Sequence, residues 1–193
     1  MKTELILLAA GQSKRFGGIK QLTDILGQPM ICHCLTQYRQ DEKWIEGIAD
    51  GHIALGANAA LIIDVLPQYI NKYVVDSWEH GMGHTLAESI QVIAQDTTHV
   101  LIGLADQVSI TSKMLMGILG KSRLYPKNII AAKYSGGLGA PSIFPRQYFF
   151  QLSQLTGDKG AKTILQQYPQ EVISLHVPEA AFDIDTREDL KFI

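Results

Sequence analysis

The chain has 193 residues, 46% of them hydrophobic and 19% charged, ordinary proportions for a globular protein with an ample core. Its 17 basic and 19 acidic residues leave a formal charge of −2, which excludes a global field that would recruit nucleic acid or an anionic membrane. Any phosphate recognition must therefore come from a local site.

The N-terminal Met1-Lys2-Thr3-Glu4 carries an acidic residue and leads into an apolar run too short to span a membrane, with no small-residue cleavage site behind it. A cytoplasmic enzyme is the expectation. The run Leu5-Ile6-Leu7-Leu8 predicts a first strand over Glu4–Ala10, followed by a helix over Pro29–Arg39. That helix holds the only cysteines, Cys32 and Cys34, which two-residue spacing turns to different faces, so they read as reduced core residues. Next come a strand over Ile45–Ala49, a helix over Ala57–Ile70, a strand over Tyr73–Asp76 and a helix over Thr85–Ala94. A strand over His99–Ala105, a helix over Ser112–Lys121 and strands over Asn128–Ala132 and Ser142–Phe144 follow. Helices over Arg146–Leu155 and Ala161–Gln167 and a strand over Val172–His176 complete the pattern. Apolar runs such as Val100-Leu101-Ile102 suit strands buried on both faces. The alternation predicts an α/β, doubly wound, mostly parallel sheet flanked by helices, forming one domain over residues 1–193. In such sheets ligands sit beyond the carboxyl ends of the strands, near a switch in strand order.

The first strand runs into Gly11-Gln12-Ser13-Lys14-Arg15-Phe16-Gly17-Gly18-Ile19-Lys20. Glycines there allow a sharp turn and close approach of backbone N–H groups to an anion. Arg15 can fork onto two phosphate oxygens, and Lys20 can place a point charge on a third. The spacing matches neither the dinucleotide fingerprint nor the P-loop. An ordinary glycine-rich turn with solvated charges is the competing reading.

The segment L-A-A-G-x-S-x-R-x-G-x-x-K-x-L, from Leu8 to Leu22, resembles the opening signature of the MobA/MocA-like nucleotidyltransferases, which include the molybdenum-cofactor cytidylyltransferases. The resemblance implies a Rossmann-like nucleotidyltransferase domain in which Gly11, Ser13, Arg15 and Lys20 hold a triphosphate. Base and sugar would lie near Leu8, Ala9 and Ala10. The spelling Ala9-Ala10-Gly11 follows the cytidylyltransferases, which favours CTP as the donor.

The strand over His99–Ala105 ends in Asp106-Gln107, and an unpaired carboxylate beside a triphosphate makes sense with a cation between them. Mg²⁺ suits such a place, since it takes one or two carboxylates plus substrate phosphates. A helix cap is the plainer alternative. Leu104-Ala105-Asp106-Gln107 also resembles the family's L-A-D-Q, which implies Asp106 as the metal ligand. Near the C-terminus, Phe182-Asp183-Ile184-Asp185-Thr186-Arg187-Glu188-Asp189-Leu190 is similar to the family's acidic ending, which implies a second metal ligand. Extended alternation would place Asp183 and Asp185 on one face. Asp185 is favoured, because Thr186 then reads as a helix N-cap with Asp189 completing a capping box.

Glu79-His80-Gly81-Met82-Gly83-His84-Thr85 resembles a family turn lining the nucleotide, which implies Gly81 and Thr85. His80 and His84 have zinc-like spacing, but the intervening glycines argue against a helix and no third ligand is near. Tyr134–Arg146 and Gly157-Asp158-Lys159-Gly160-Ala161-Lys162 are similar to the family's acceptor-side segments, which implies Gly139, Ala140, Pro141 and Asp158 as acceptor contacts. The resemblance is poor from about Asp41 to Ile70. Val108 replaces a usual proline, which bears on the turn alone, and Ala140 stands where a polar or basic residue, often histidine, is common, which bears on the acceptor more than on the chemistry.

The expectation is in-line attack by a phosphorylated acceptor on the α-phosphorus, releasing pyrophosphate, with Arg15, Lys20 and Asp106 as the catalytic residues. The implied acceptor is molybdenum cofactor, with a molybdoenzyme receiving the product. A sugar-phosphate or other small phosphorylated acceptor is one alternative, and a non-catalytic nucleotide or cofactor carrier is another. Neither nucleic acid nor a membrane is expected as a partner.

Overall fold

β1 (Thr3–Leu8) is buried along its whole length, as a strand apolar on both faces must be when helices cover the sheet on either side. The computed structural model describes all 193 residues. After the loop that follows β1 come a small hairpin of β2 (Asp24–Ile25) and β3 (Gln28–Pro29), then α1 (Met30–Gln37) and a second hairpin of β4 (Arg39–Gln40) and β5 (Lys43–Trp44). β6 (Asp50–Leu55), α2 (Ala59–Ile63), β7 (Asn71–Val74), α3 (Met82–Ile90) and β8 (His99–Leu104) follow. The chain continues through α4 (Ser112–Leu124), β9 (Ile129–Tyr134), β10 (Gly137–Pro145), α5 (Phe149–Ser153), α6 (Lys162–Gln167) and β11 (Val172–His176).

Seven strands form one sheet in the order β11-β9-β10-β8-β1-β6-β7. β1 pairs in parallel with both β6 and β8, while β10 runs antiparallel to its neighbours β8 and β9. Successive residues of β1 feed opposite cores: Leu5 and Leu7 pack with α1 and α4, Ile6 and Leu8 with α3, α5 and α6. Strand order reverses between β1 and β8, so the crevice beyond their carboxyl ends is the topological switch point. The expected doubly wound, mostly parallel architecture is the one the chain adopts.

Several boundaries differ from expectation. The second major strand is β6 at Asp50–Leu55, not Ile45–Ala49; Ile45 and Ile48 are buried anchors in the connection before it. Gly51 lies within that strand, where the close approach of β1 calls for glycine: a Cβ there would lie 2.7 Å from Leu5 Cβ. The helix expected over Ala57–Ile70 shrinks to α2, with Pro67 beyond its end. The expected helix over Arg146–Leu155 becomes a 3₁₀ turn followed by α5. α3 begins at Met82, before the expected Thr85, so Gly83 is helical after all. There the backbone of Thr156 and Gly157 docks so closely that a Cβ would lie 2.6 Å from Thr156 O. The strand expected over Ser142–Phe144 lengthens to β10, with a register break between Gly139 and Ser142. Cys34 is buried in α1 and its thiol is pushed up by that burial, while Cys32 Sγ lies 3.3 Å from Val65 O; both cysteines are free.

Candidate nucleotide site

The loop after β1 is shaped by Gln21, which is almost wholly buried. Its amide Nε2 donates to Ala9 O and Gly11 O, both at 3.0 Å, and its Oε1 accepts from the Ser13 hydroxyl at 3.2 Å. One side chain thus ties the start and the middle of the loop to its end. Ser13 adopts a left-handed conformation with φ 59°, and Gly17 does so with φ 70°. Phe16 is buried as the loop's apolar anchor, with the Arg187 guanidinium 5.5 Å from its ring centre. A rigid, inward-curved backbone results, of the kind that presents N–H groups to an anion.

Beyond this loop, two cations meet two carboxylates. Lys20 Nζ donates to Asp106 Oδ2 at 2.7 Å and to Ile184 O at 2.8 Å, and lies 3.4 Å from Asp185 Oδ1. Arg15 donates to the other oxygen of Asp185 at 2.8 Å. Burial works against the Lys20 charge, but Asp106 and Asp185 together hold its ammonium above the ordinary lysine value. Asp106 stands just past β8, and Ile184 N donates to Asp106 O at 3.1 Å, which stitches the C-terminal segment to that strand end.

Asp185 is aimed by Asp189, whose Oδ2 accepts from the backbone N–H groups of Asp185 at 2.9 Å and Thr186 at 2.7 Å. Of these bonds, the one from Thr186 N is half of the capping box expected at Thr186, the Thr186 side chain accepting from Asp189 N being the other half, and the box starts a 3₁₀ helix over Arg187–Phe192. The backbone bonds to Asp189 Oδ2 also hold the Asp189 carboxyl below the ordinary aspartate value. Asp183 belongs to the same acidic cluster: burial, then the charge of Asp106, push its carboxyl up to about 6, and its Oδ1 is buried without a hydrogen-bond partner.

The opposite wall is built on β7 and α3. Glu88 of α3 accepts from the Tyr73 hydroxyl at 2.9 Å, from Asp76 N at 3.0 Å and from the Ser77 hydroxyl at 2.7 Å. That clamp sets Trp78 against the cleft. At the start of α3, Gly83 N donates to Gly157 O at 2.6 Å, which brings the loop bearing Asp158 onto the turn at Gly81. His84 Nδ1 lies 2.9 Å from His80 O and 3.2 Å from Gly157 N, so its ring faces backbone polar groups.

Between the walls lies a cleft of about 920 Å³. Of the residues expected from sequence, Leu8, Ala9, Ala10, Gly11, Ser13, Arg15, Lys20, Gly81, Thr85, Asp106 and Asp158 all line it. Asp185 stands at its edge, joined through Arg15 and Lys20. Gly139, Ala140 and Pro141 do not line it; they sit at the register break of β10, where Ala140 O accepts from Gln107 Nε2 at 3.3 Å. Sequence reasoning missed Gln21, Met30, Trp78 and Glu79 in the cleft wall and Glu88 behind it. A polar Gln21 directly after Lys20 was a weak signal, and the others carried none.

A profile of the MobA-like NTP transferase domain matches residues 5–172. The chain belongs to this family. By that membership it carries a nucleotidyltransferase domain, and the matched span contains the loop, Asp106 and both walls of the cleft, while Asp185 lies beyond it. The bifunctional protein GlmU of Pseudomonas putida is 29% identical over 124 residues, 63% of this chain and 26% of that protein, so the chain spans about a quarter of the length of such curated relatives. The crystal structure of Rv0371c from Mycobacterium tuberculosis H37Rv is 25% identical with a TM-score of 0.84, covering 100% of this chain and 97% of that one. A second structure of that protein is a complex with manganese, at 22% identity and a TM-score of 0.78 over 100% and 97% of the two chains. The 4-diphosphocytidyl-2C-methyl-D-erythritol synthase of Anaerococcus prevotii shares the fold with a TM-score of 0.76 over 99% and 93% of the chains, at 13% identity.

Proposed function

We propose that this chain transfers CMP from CTP to the terminal phosphate of a molybdopterin-type cofactor, with release of pyrophosphate. The observation that carries the reading is the convergence of Arg15, Lys20, Asp106 and Asp185 at the switch point, beside a loop shaped to receive an anion. An acceptor phosphate oxygen forms a bond to the α-phosphorus as the bond from that phosphorus to the β-phosphate oxygen breaks. Arg15 and Lys20 neutralise the leaving pyrophosphate, and the backbone around Gly11 and Ser13 orients it. Leu8, Ala9 and Ala10 form the floor for base and sugar, with Thr85 and Gly81 opposite. Asp158 faces the acceptor.

A divalent cation fits the residues present. Asp106 Oδ1 is buried with no hydrogen-bond partner, an oxygen left for a ligand, and Asp185 offers a second hard donor beside it. Held by Asp106 and Asp185, Mg²⁺ would neutralise charge on the α-phosphate; the manganese bound by the mycobacterial protein supports a divalent ion in this class. CTP is favoured by the Ala9-Ala10-Gly11 spelling. A cytoplasmic setting, with a molybdoenzyme taking the product, completes the reading; no helix is long and apolar enough to cross a membrane.

A second reading, transfer to a sugar phosphate or another small phosphorylated acceptor, draws on Ala140, which stands where histidine is common and lies outside the cleft wall. Pyrophosphate release measured with each of the four NTPs, with molybdenum cofactor and with a panel of phosphorylated small molecules, separates the two. Release that depends on CTP and molybdenum cofactor is expected. Release with another acceptor supports the second reading, and nucleotide binding without release under any pairing would make the chain a carrier.

A further inference from the structure

Three of the four oxygens of the Asp106 and Asp185 carboxylates are already engaged by cations of the protein. Lys20 takes Asp106 Oδ2 at 2.7 Å and Asp185 Oδ1 at 3.4 Å, and Arg15 takes Asp185 Oδ2 at 2.8 Å. Only Asp106 Oδ1 has no partner. With Ile184 O at 2.8 Å, Lys20 spends its three donors on three acceptors, and its side chain is only 12% exposed. A divalent ion that binds both aspartates makes direct bonds of about 2.1 Å and must either share an oxygen of Asp185 with Lys20 or Arg15 or displace one of them. Two cations on one carboxylate oxygen repel at short range, and a displaced ammonium loses partners in a place where water replaces them poorly.

We propose that Lys20 is an exchangeable counter-ion that competes with the divalent cation for Asp106 and Asp185, so that metal and triphosphate enter the site together. The proposal rests on the reading that these two carboxylates hold a divalent ion. A triphosphate in the cleft supplies what a free metal ion lacks, a second set of anionic oxygens for Lys20 and Arg15. Both residues line that cleft, and Lys20 has a flexible four-carbon stem with which to turn toward it. As the two cations move to phosphate, the carboxylate oxygens they held become free for the metal. The same side chain that steadies the pyrophosphate thereby keeps the carboxylates from drawing in a metal ion alone, and the coupling is reciprocal: metal favours triphosphate as much as triphosphate favours metal.

The test is binding of Mn²⁺ alone, without nucleotide, followed by loss of the free-ion paramagnetic resonance signal. Wild type, Lys20→Met, Lys20→Gln and Asp106→Asn are compared, with thermal unfolding recorded for each. Lys20→Gln retains a polar donor and covers the case in which Lys20→Met does not fold. The proposal expects weak binding by wild type, binding at least about tenfold tighter in the Lys20 variants, and none at this site in Asp106→Asn. Equal affinity in wild type and in the folded Lys20 variants, still abolished in Asp106→Asn, overturns the competition and leaves the metal reading intact. Absence of any Asp106-dependent Mn²⁺ binding, with CTP added as well as without it, overturns the metal reading and the competition with it.

Discussion

Lys20 Nζ lies 2.7 Å from Asp106 Oδ2, joining the loop after β1 to the carboxyl end of β8 across the point where strand order reverses. The contact is shielded, with the lysine side chain only 12% exposed. Replacing Lys20 by methionine keeps the stem and removes the charge. A fall in kcat on the order of 10²-fold at saturating nucleotide is expected, measured by steady-state pyrophosphate release; a value within about threefold of wild type removes Lys20 from the proposed chemistry.

Gln21 shapes the loop through its hydrogen bonds to Ala9 O, Gly11 O and the Ser13 hydroxyl. Gln21→Leu strands Ala9 O and Gly11 O without their donor, which costs about 2–4 kcal/mol of stability in urea unfolding. The KM for the triphosphate should rise more than kcat falls, because the loop loses its preset curvature. Full stability with unchanged KM would show that the two hydrogen bonds do not hold the loop.

Two glycines should respond differently to alanine. A Cβ on Gly11 would meet nothing within 4 Å, so Gly11→Ala is expected to fold with stability within about 1 kcal/mol of wild type and to raise the KM for nucleotide, since bound ligand is what the methyl would meet. A Cβ on Gly83 would meet the backbone of Thr156 at 2.6 Å, so Gly83→Ala should lower the melting temperature and loosen the loop that carries Asp158. Thermal melts paired with KM measurements separate the two effects; equal loss of stability in both variants would contradict this account.

His52 on β6 is buried and its ring is driven down to about 4, chiefly by burial, with Glu4 and Asp50 opposing. The folded protein keeps this imidazole neutral, whereas the unfolded chain takes up a proton below about pH 6.5. The unfolded state therefore binds more protons between those values, and stability falls as pH drops from about 6.5 toward 4, by up to about 3 kcal/mol from this residue. His52→Leu should flatten the change in urea midpoint between pH 7 and pH 5. An unchanged slope would assign the acid sensitivity elsewhere.

The fold was legible where burial on both faces writes a continuous apolar run, as in β1 and β8, and these two strands frame the cleft. β6 was hidden because Asp50 and Gly51 look like a turn, and only contact with Leu5 explains a glycine there. Gly83 misled in the same way, since the close backbone that demands it comes from a loop more than 70 residues away. In the cleft, Arg15, Lys20 and Asp106 announced themselves through charge placed just after strands. Asp189 was legible too, through the capping box at Thr186, whereas Glu88 was not, because it acts by accepting hydrogen bonds from the separate segment Tyr73–Ser77 and has no local pattern of its own.

The central claim, nucleotidyl transfer at the Lys20, Asp106 and Asp185 cluster, is tested most directly by acceptor-dependent pyrophosphate release in wild type and Asp106→Ala at saturating CTP and Mg²⁺. The account predicts release by wild type and a loss on the order of 10²-fold or more in the variant, with its fold retained. Equal release from both proteins would contradict it.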